Sequence, residues 1–247
     1  MAALILRNDE AGVAVLTLNR PEVLNALSPK LFEELRAHVE GLARETESVG
    51  CVVLQGAGRS FSAGNDLNAI RAGERAPSPH FQAETLDALE VLPQPVIASV
   101  QGHCYTGALE LALACDLLVV AHSAKLADTH GKWGMTPTWG MSQRLPRRIG
   151  PLRAKALMFS GRAVNGPEAV ALGLANECVP DAELAARTLA LAHEIAANSW
   201  FTLRTEKLLM REGAKLGPQE ALLYERANSP GAGPDMAKRL ESFGAKR

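Results

Sequence analysis

The chain has 247 residues, with 26 Lys and Arg balanced against 27 Asp and Glu for a formal net charge of -1. That balance argues against nucleic-acid binding through bulk electrostatics, and no apolar run approaches the length needed to span a membrane. The length suits one sizeable core, and the opening residues turn acidic too soon after a short apolar run to read as a signal peptide, so a soluble, cytoplasmic protein is expected.

Taken in order, Leu4 to Asn8 and Val13 to Asn19 alternate as two strands around turn residues Asp9 to Gly12, so a hairpin opens the chain. Arg20-Pro21 ends it. Ser28-Pro29 reads as a helix cap followed by proline at the first helical position, and Leu31, Leu35, Val39 and Leu42 then make one apolar face. Cys51 to Leu54 is apolar throughout, the pattern of a strand buried on both faces. Gly56-Ala57-Gly58-Arg59-Ser60-Phe61 begins like a dinucleotide-binding fingerprint but puts Phe61 where the third glycine belongs, and that reading fails. Two readings of the segment through Leu67 remain. It is an ordinary strand-to-helix connection with Asp66 near the helix start, or a loop of small residues that brings the backbone amide of Asn65 to a ligand. Arg71 to Pro79 is a polar, proline-bearing excursion, and Phe81 to Val91 is a helix that Pro93 and Pro95 stop.

The chain is organised around Ser99 to Cys115. This stretch leaves a buried strand (Val96 to Val100), turns at Gln101-Gly102, and enters a helix near Gly107 whose side chains are nearly all apolar. Glu110 is the exception. A carboxylate among Leu109, Leu111, Ala112 and Leu113 is costly to desolvate, so it is paired with a nearby Arg or Lys, protonated, or kept for chemistry. One turn earlier, Gly107 sits where helical amides lack acceptors and the dipole is positive, and a glycine lets a ligand oxygen approach the backbone.

Leu117 to Ala121 is another apolar strand, and strand, helix, strand at this pace implies parallel pairing. Leu126 to Gly140 has no clear period. Within it Asp128 and His130 are two apart and face the same way in an extended segment, where the carboxylate can orient or charge the imidazole; the alternative is a turn Asp and a solvated His. Trp133, Met135 and Trp139 line a pocket or simply pack. From Pro151 the pattern is mainly helical, with only Asn176 to Val179 strand-like, so a spiral core over residues 1–190 and a helical region over 191–247 form one functional unit. Cys51, Cys104, Cys115 and Cys178 lack metal-type spacing and read as buried thiols.

Six motifs in order then resemble the crotonase (enoyl-CoA hydratase/isomerase) superfamily over essentially the whole chain. They are Asn19-Arg20-Pro21 with Leu24-Asn25-Ala26-Leu27, Phe61 to Leu67, Pro95 to Ala98 with Gly102, and Gly107 to Ala112 with Cys115-Asp116; Gln143-Arg144-Leu145-Pro146 before Ile149-Gly150 and Ala169 to Leu174 complete the set. The resemblance implies an α/β fold, a crotonase-like spiral of ββα units that assembles through its C-terminal helices as a homotrimer or a homohexamer. It implies an acyl-CoA substrate whose thioester oxygen sits in an oxyanion hole formed by the amides of Asn65 and Gly107, with no metal and no cofactor. By position it places substrate or CoA contacts at Leu24, Ala26, Ala63, Asp66, Leu67 and Asn68, and a neighbouring subunit's contacts at Phe243 and Lys246.

In hydratases of that family two glutamates handle one water. Glu110 falls on the first, but His130 stands at the second and Asp128 where a glutamine often hydrogen-bonds the first glutamate; Thr106 and Ala108 replace glycines of a Gly-Gly-Gly run. The expected function is that of an enoyl-CoA hydratase, which adds water to a trans-2-enoyl-CoA, with Glu110 and His130 as the catalytic pair and Asp128, Trp133 and Trp139 as supporting or pocket residues. His130 keeps open another reaction of the family (isomerisation, thioester hydrolysis or C–C cleavage) and non-catalytic acyl-CoA binding.

Overall fold

The computed structural model describes residues 3–244. Strands β1 (Ile5–Glu10) and β2 (Val13–Leu18) pair antiparallel as expected, with Glu10 opposite Val13. The turn is shorter than its composition suggests. Only Ala11 and Gly12 form it, both at positive φ (47° and 79°), the geometry of a two-residue hairpin loop. Ser28 caps α1 (Pro29–Leu42) by accepting from the Leu31 amide, and Leu31, Phe32, Leu35, Val39 and Leu42 are buried beneath it.

β3 (Cys51–Gly56) is followed by α2 (Leu67–Arg71), α3 (Phe81–Glu90), β4 (Val96–Val100), β5 (His103–Tyr105) and α4 (Gly107–Leu113). Then come β6 (Leu117–Ala121), β7 (Lys125–Ala127), α5 (Met141–Ile149), α6 (Pro151–Ser160), α7 (Gly166–Ala171) and β8 (Glu177–Val179). Helices α8 (Leu184–Ala196), α9 (Trp200–Gly213), α10 (Pro218–Asn228) and α11 (Met236–Gly244) close the chain. The main sheet runs β1-β2-β3-β4-β6-β8, parallel from β2 onward, and its strands β3 and β4 are almost wholly buried. No described helix is long and apolar enough to cross a membrane.

Strands β5 and β7 and helix α5 were not foreseen. β5 and β7 are three residues each and form a second, two-stranded parallel sheet, too short to show alternation in the sequence. α5 contains Pro146, which hides it from a propensity reading. The division expected at 190/191 falls inside α8, a continuous helix that packs across β3, β4 and β6 and joins the core through the Ser99–Thr188 hydroxyl pair (3.0 Å).

Candidate active site

The site is built where two loops meet. Past β3 the chain is pinned on one side to residues 24–27, with the Leu27 amide donating to Gly64 O (2.8 Å) and the Asp66 amide to Leu27 O (3.1 Å). On the other side it pairs with β5, the Ser62 amide donating to His103 O (2.9 Å). Asn25 ties the two together. Fully buried and left-handed (φ 53°), it donates to Ala57 O and Ser60 O and accepts from the Arg20 amide. Gly64 (φ 96°) presses so closely on Tyr105 O that a side chain there has no space, and a Cβ on it would lie 3.6 Å from the Gly107 nitrogen. The Asn65 loop therefore passes directly against the first turn of α4.

Asn65 and Gly107 border one cleft of about 330 Å³, and neither amide donates to an acceptor among the described residues. The residue before Gly107 explains its orientation. Thr106 sits at φ 54°, ψ −109°, a strained conformation for a β-branched residue. Three ties hold it: its amide donates to Ala127 O (2.8 Å), its hydroxyl accepts from the Thr129 amide (3.2 Å), and the two threonine hydroxyls share a short hydrogen bond.

Glu110 is 1% exposed on the cleft wall. No Arg or Lys among the described residues pairs with it: Oε1 accepts from the backbone amides of Trp139 and Met141, both at 3.0 Å. Arg144 secures that segment by donating to Trp139 O (2.6 Å) while paired with Glu90 (2.6 Å). Oε2 is left facing His130 Nε2 at 3.7 Å. Burial raises the Glu110 carboxyl above its ordinary range, opposed by the two amides and the His130 charge, and the net direction is upward. Asp128 Oδ1 accepts from both the backbone amide (3.0 Å) and Nδ1 (2.7 Å) of His130. The two meet across a tight turn that Asp128 itself closes just beyond β7, rather than by strand alternation. Burial pulls the His130 imidazole down, but the hydrogen bond and charge of Asp128 and the charge of Glu110 outweigh it, and the net direction is upward.

Trp139 and Met135 line the cleft, with Trp139 set edge-on to Phe32 at 5.0 Å. Trp133 does not: it is 60% exposed and borders solvent. Gly134, Thr136 and Thr138 complete the wall, unmarked in the sequence except by lying in the same aperiodic stretch. Asp66 caps α2 through the amides of Asn68 (3.0 Å) and Ala69 (3.1 Å) and pairs with Arg20 (2.7 Å), so it shapes the loop rather than lining the cleft. Leu67 and Asn68 stand exposed on the first turn of α2, and half-buried Leu24, Ala26 and Ala63 lie on the two segments that flank Asn65. Phe243 belongs to α11, and Lys246 lies outside the described residues.

Two residues lining one cleft with amides that have no acceptor among the described residues, beside an acid and an imidazole, suit an enzyme that gathers negative charge on a carbonyl oxygen while protons move nearby. Residues 8–235 match the enoyl-CoA hydratase/isomerase family model, and the chain belongs to that family. It is 32% identical to the short-chain-enoyl-CoA hydratase of Clostridium acetobutylicum over 225 residues, covering 90% of this chain and 86% of that one. It is equally 32% identical over 256 residues to the 1,2-epoxyphenylacetyl-CoA isomerase of Escherichia coli, covering 100% and 97%. The crystal structure of an enoyl-CoA hydratase from Bacillus anthracis superposes with a TM-score of 0.93 at 34% identity, covering 99% and 97%.

Proposed function

We propose that the protein is an enoyl-CoA hydratase, acting on a trans-2-enoyl-CoA without metal or redox cofactor. The observation that carries this reading is the approach of Glu110 Oε2 to His130 Nε2 at 3.7 Å on the wall that also presents Asn65 and Gly107. With the thioester oxygen accepting from the two amides, a water held by Glu110 loses a proton to Oε2 as its oxygen adds to C3. The electron pair of the double bond moves toward the thioester, and each preorganised donor stabilises the resulting oxyanion by roughly 2.7–4 kcal/mol. His130 then delivers a proton from Nε2 to C2. Passing the captured proton from Glu110 back to His130, across the short gap between them, resets the site.

Glu110 suits the base because two amides fix Oε1 and leave Oε2 available. Replacing Glu110 by Gln is expected to lower hydration of crotonyl-CoA at least about a hundredfold while acyl-CoA binding stays nearly intact. Retained turnover in that variant removes Glu110 from the mechanism. A second reading, double-bond isomerisation, is favoured by the same pair, which can move one proton between two substrate carbons without water. Product mass separates the two, since hydration adds one water and isomerisation adds nothing. Assembly as a trimer or a dimer of trimers is proposed on the exposed apolar residues of α9 and α10, neither of which contains a buried residue.

A further inference from the structure

We propose that Asp128 is a positioning residue that makes His130 the proton donor of the site, by holding its Nδ1–H and leaving Nε2 directed at Glu110. The inference rests on the reading of His130 as donor given above. Asp128 is 3% exposed, and a carboxylate so buried is tolerated only where charge-assisted hydrogen bonds replace water. One of its oxygens takes both the main-chain and the ring N–H of His130.

That geometry has a consequence for tautomer. A carboxylate only accepts, so Nδ1 carries hydrogen; a neutral ring would then present a bare Nε2, which takes protons and cannot give one. Donation from Nε2 requires the imidazolium, and a buried imidazolium requires negative charge beside it. Two carboxylates face His130, Asp128 from its own turn and Glu110 from α4; α6 also packs against this turn and places no charge on the ring. Glu110 loses its charge when it accepts the water proton. Asp128 takes no part in that transfer and stays hydrogen-bonded to the ring as the constant partner.

Thr129, between the two residues, is bonded to Thr106, so the turn that carries the ring is anchored to the residue preceding the Gly107 amide. Donor and oxyanion hole are thereby held in one frame.

The test uses the full chain and two variants. Asp128→Asn keeps an acceptor for both N–H groups but removes the charge, whereas Asp128→Ala removes both. The His130 ring is followed by nitrogen NMR without substrate, its resonances assigned by their loss in His130→Gln, beside pH profiles of kcat/KM for crotonyl-CoA. In Asp128→Asn the ring is expected to titrate about one to three pH units lower, with the alkaline limb of kcat/KM moving down alongside it and KM nearly unchanged. In Asp128→Ala the hydrogen of the neutral ring redistributes toward Nε2. An unmoved titration in a folded Asp128→Asn protein overturns the proposal, and so does a bare Nδ1 in the unmodified enzyme, a measurement that needs no variant. A shifted titration in a protein that fails to hydrate any enoyl-CoA supports the role of Asp128 and rejects the hydratase reading instead.

Discussion

Gly107 has no space for a side chain, because the Trp139 ring lies over its Cα. A methyl group there must rotate the peptide, which turns an amide that has no acceptor among the described residues, or push away the indole of Trp139, whose own amide holds Glu110. On the proposed reaction, Gly107→Ala is therefore expected to lower kcat by about a hundredfold or more, the cost of losing one proposed oxyanion donor, with a much smaller change in KM. Steady-state kinetics on crotonyl-CoA decides it, and an unaffected kcat would take Gly107 out of the proposed oxyanion hole. Thr106 shows the complementary device. Its strain is offset by the hydrogen bonds to Ala127 and Thr129, and Thr106→Gly removes the strain together with the hydroxyl ties to Thr129, leaving the amide bond to Ala127 in place. Unfolding free energy should move by less than about 1 kcal/mol while kcat falls, because the two energetic changes oppose each other and the loosened amide does not recover.

The elements that frame the cleft are short, and caps hold them. α2 is five residues long, far below the length at which a helix is stable by itself, so Asp66 and its pair with Arg20 matter more than propensity. Asp66→Ala is expected to destabilise the fold by about 2 kcal/mol, measured by denaturant unfolding. It should raise KM for acyl-CoA more than it lowers kcat, since α2 carries the proposed CoA contacts Leu67 and Asn68 while the proposed catalytic pair, Glu110 and His130, lies elsewhere. Burial works against the Asp66 carboxylate, but Arg20 and the α2 amides prevail and hold its pKa below the ordinary 3.8. The stabilisation is present above that value and is lost as pH falls through the lower, folded-state value; Asp66→Ala should flatten this part of the acid-unfolding curve. Sequence pattern located α1 and α3 by their helical apolar faces and β3, β4 and β6 by apolar runs. It missed β5 and β7, which exist only as pairings between distant three-residue segments.

At the scale of the whole molecule, α9 and α10 pack against each other yet bury no residue, and Met210, Leu222 and Leu223 are 76%, 53% and 62% exposed. Such a surface fits burial against further copies of the chain. Light scattering is expected to report three or six times the chain mass, and Leu222→Glu combined with Leu223→Glu to shift the particle toward the monomer. A monomeric unmodified protein would refute the assembly. Within one chain, α9 is anchored to the core by Lys207 on Asp116 (2.6 Å) and by the Trp200 indole packed over Gly12 and Gly50, so the tail and the sheet form one body.

Read alone, the sequence established what depends on local pattern: the hairpin, the capped first helix, the buried strands, and an acid in a helix too apolar to carry one for solubility. Its ordered motifs pointed to the family and to Asn65, Gly107, Glu110 and His130. Only the tertiary structure decided which atoms meet. Glu110 is satisfied by two backbone amides rather than a basic side chain, Asp128 grips His130 through a turn, Trp139 lines the cleft and Trp133 faces solvent. Every residue except proline carries the same amide, and its direction is set by dihedrals and by contacts between segments far apart in the chain, so no residue type announces where that hydrogen will point.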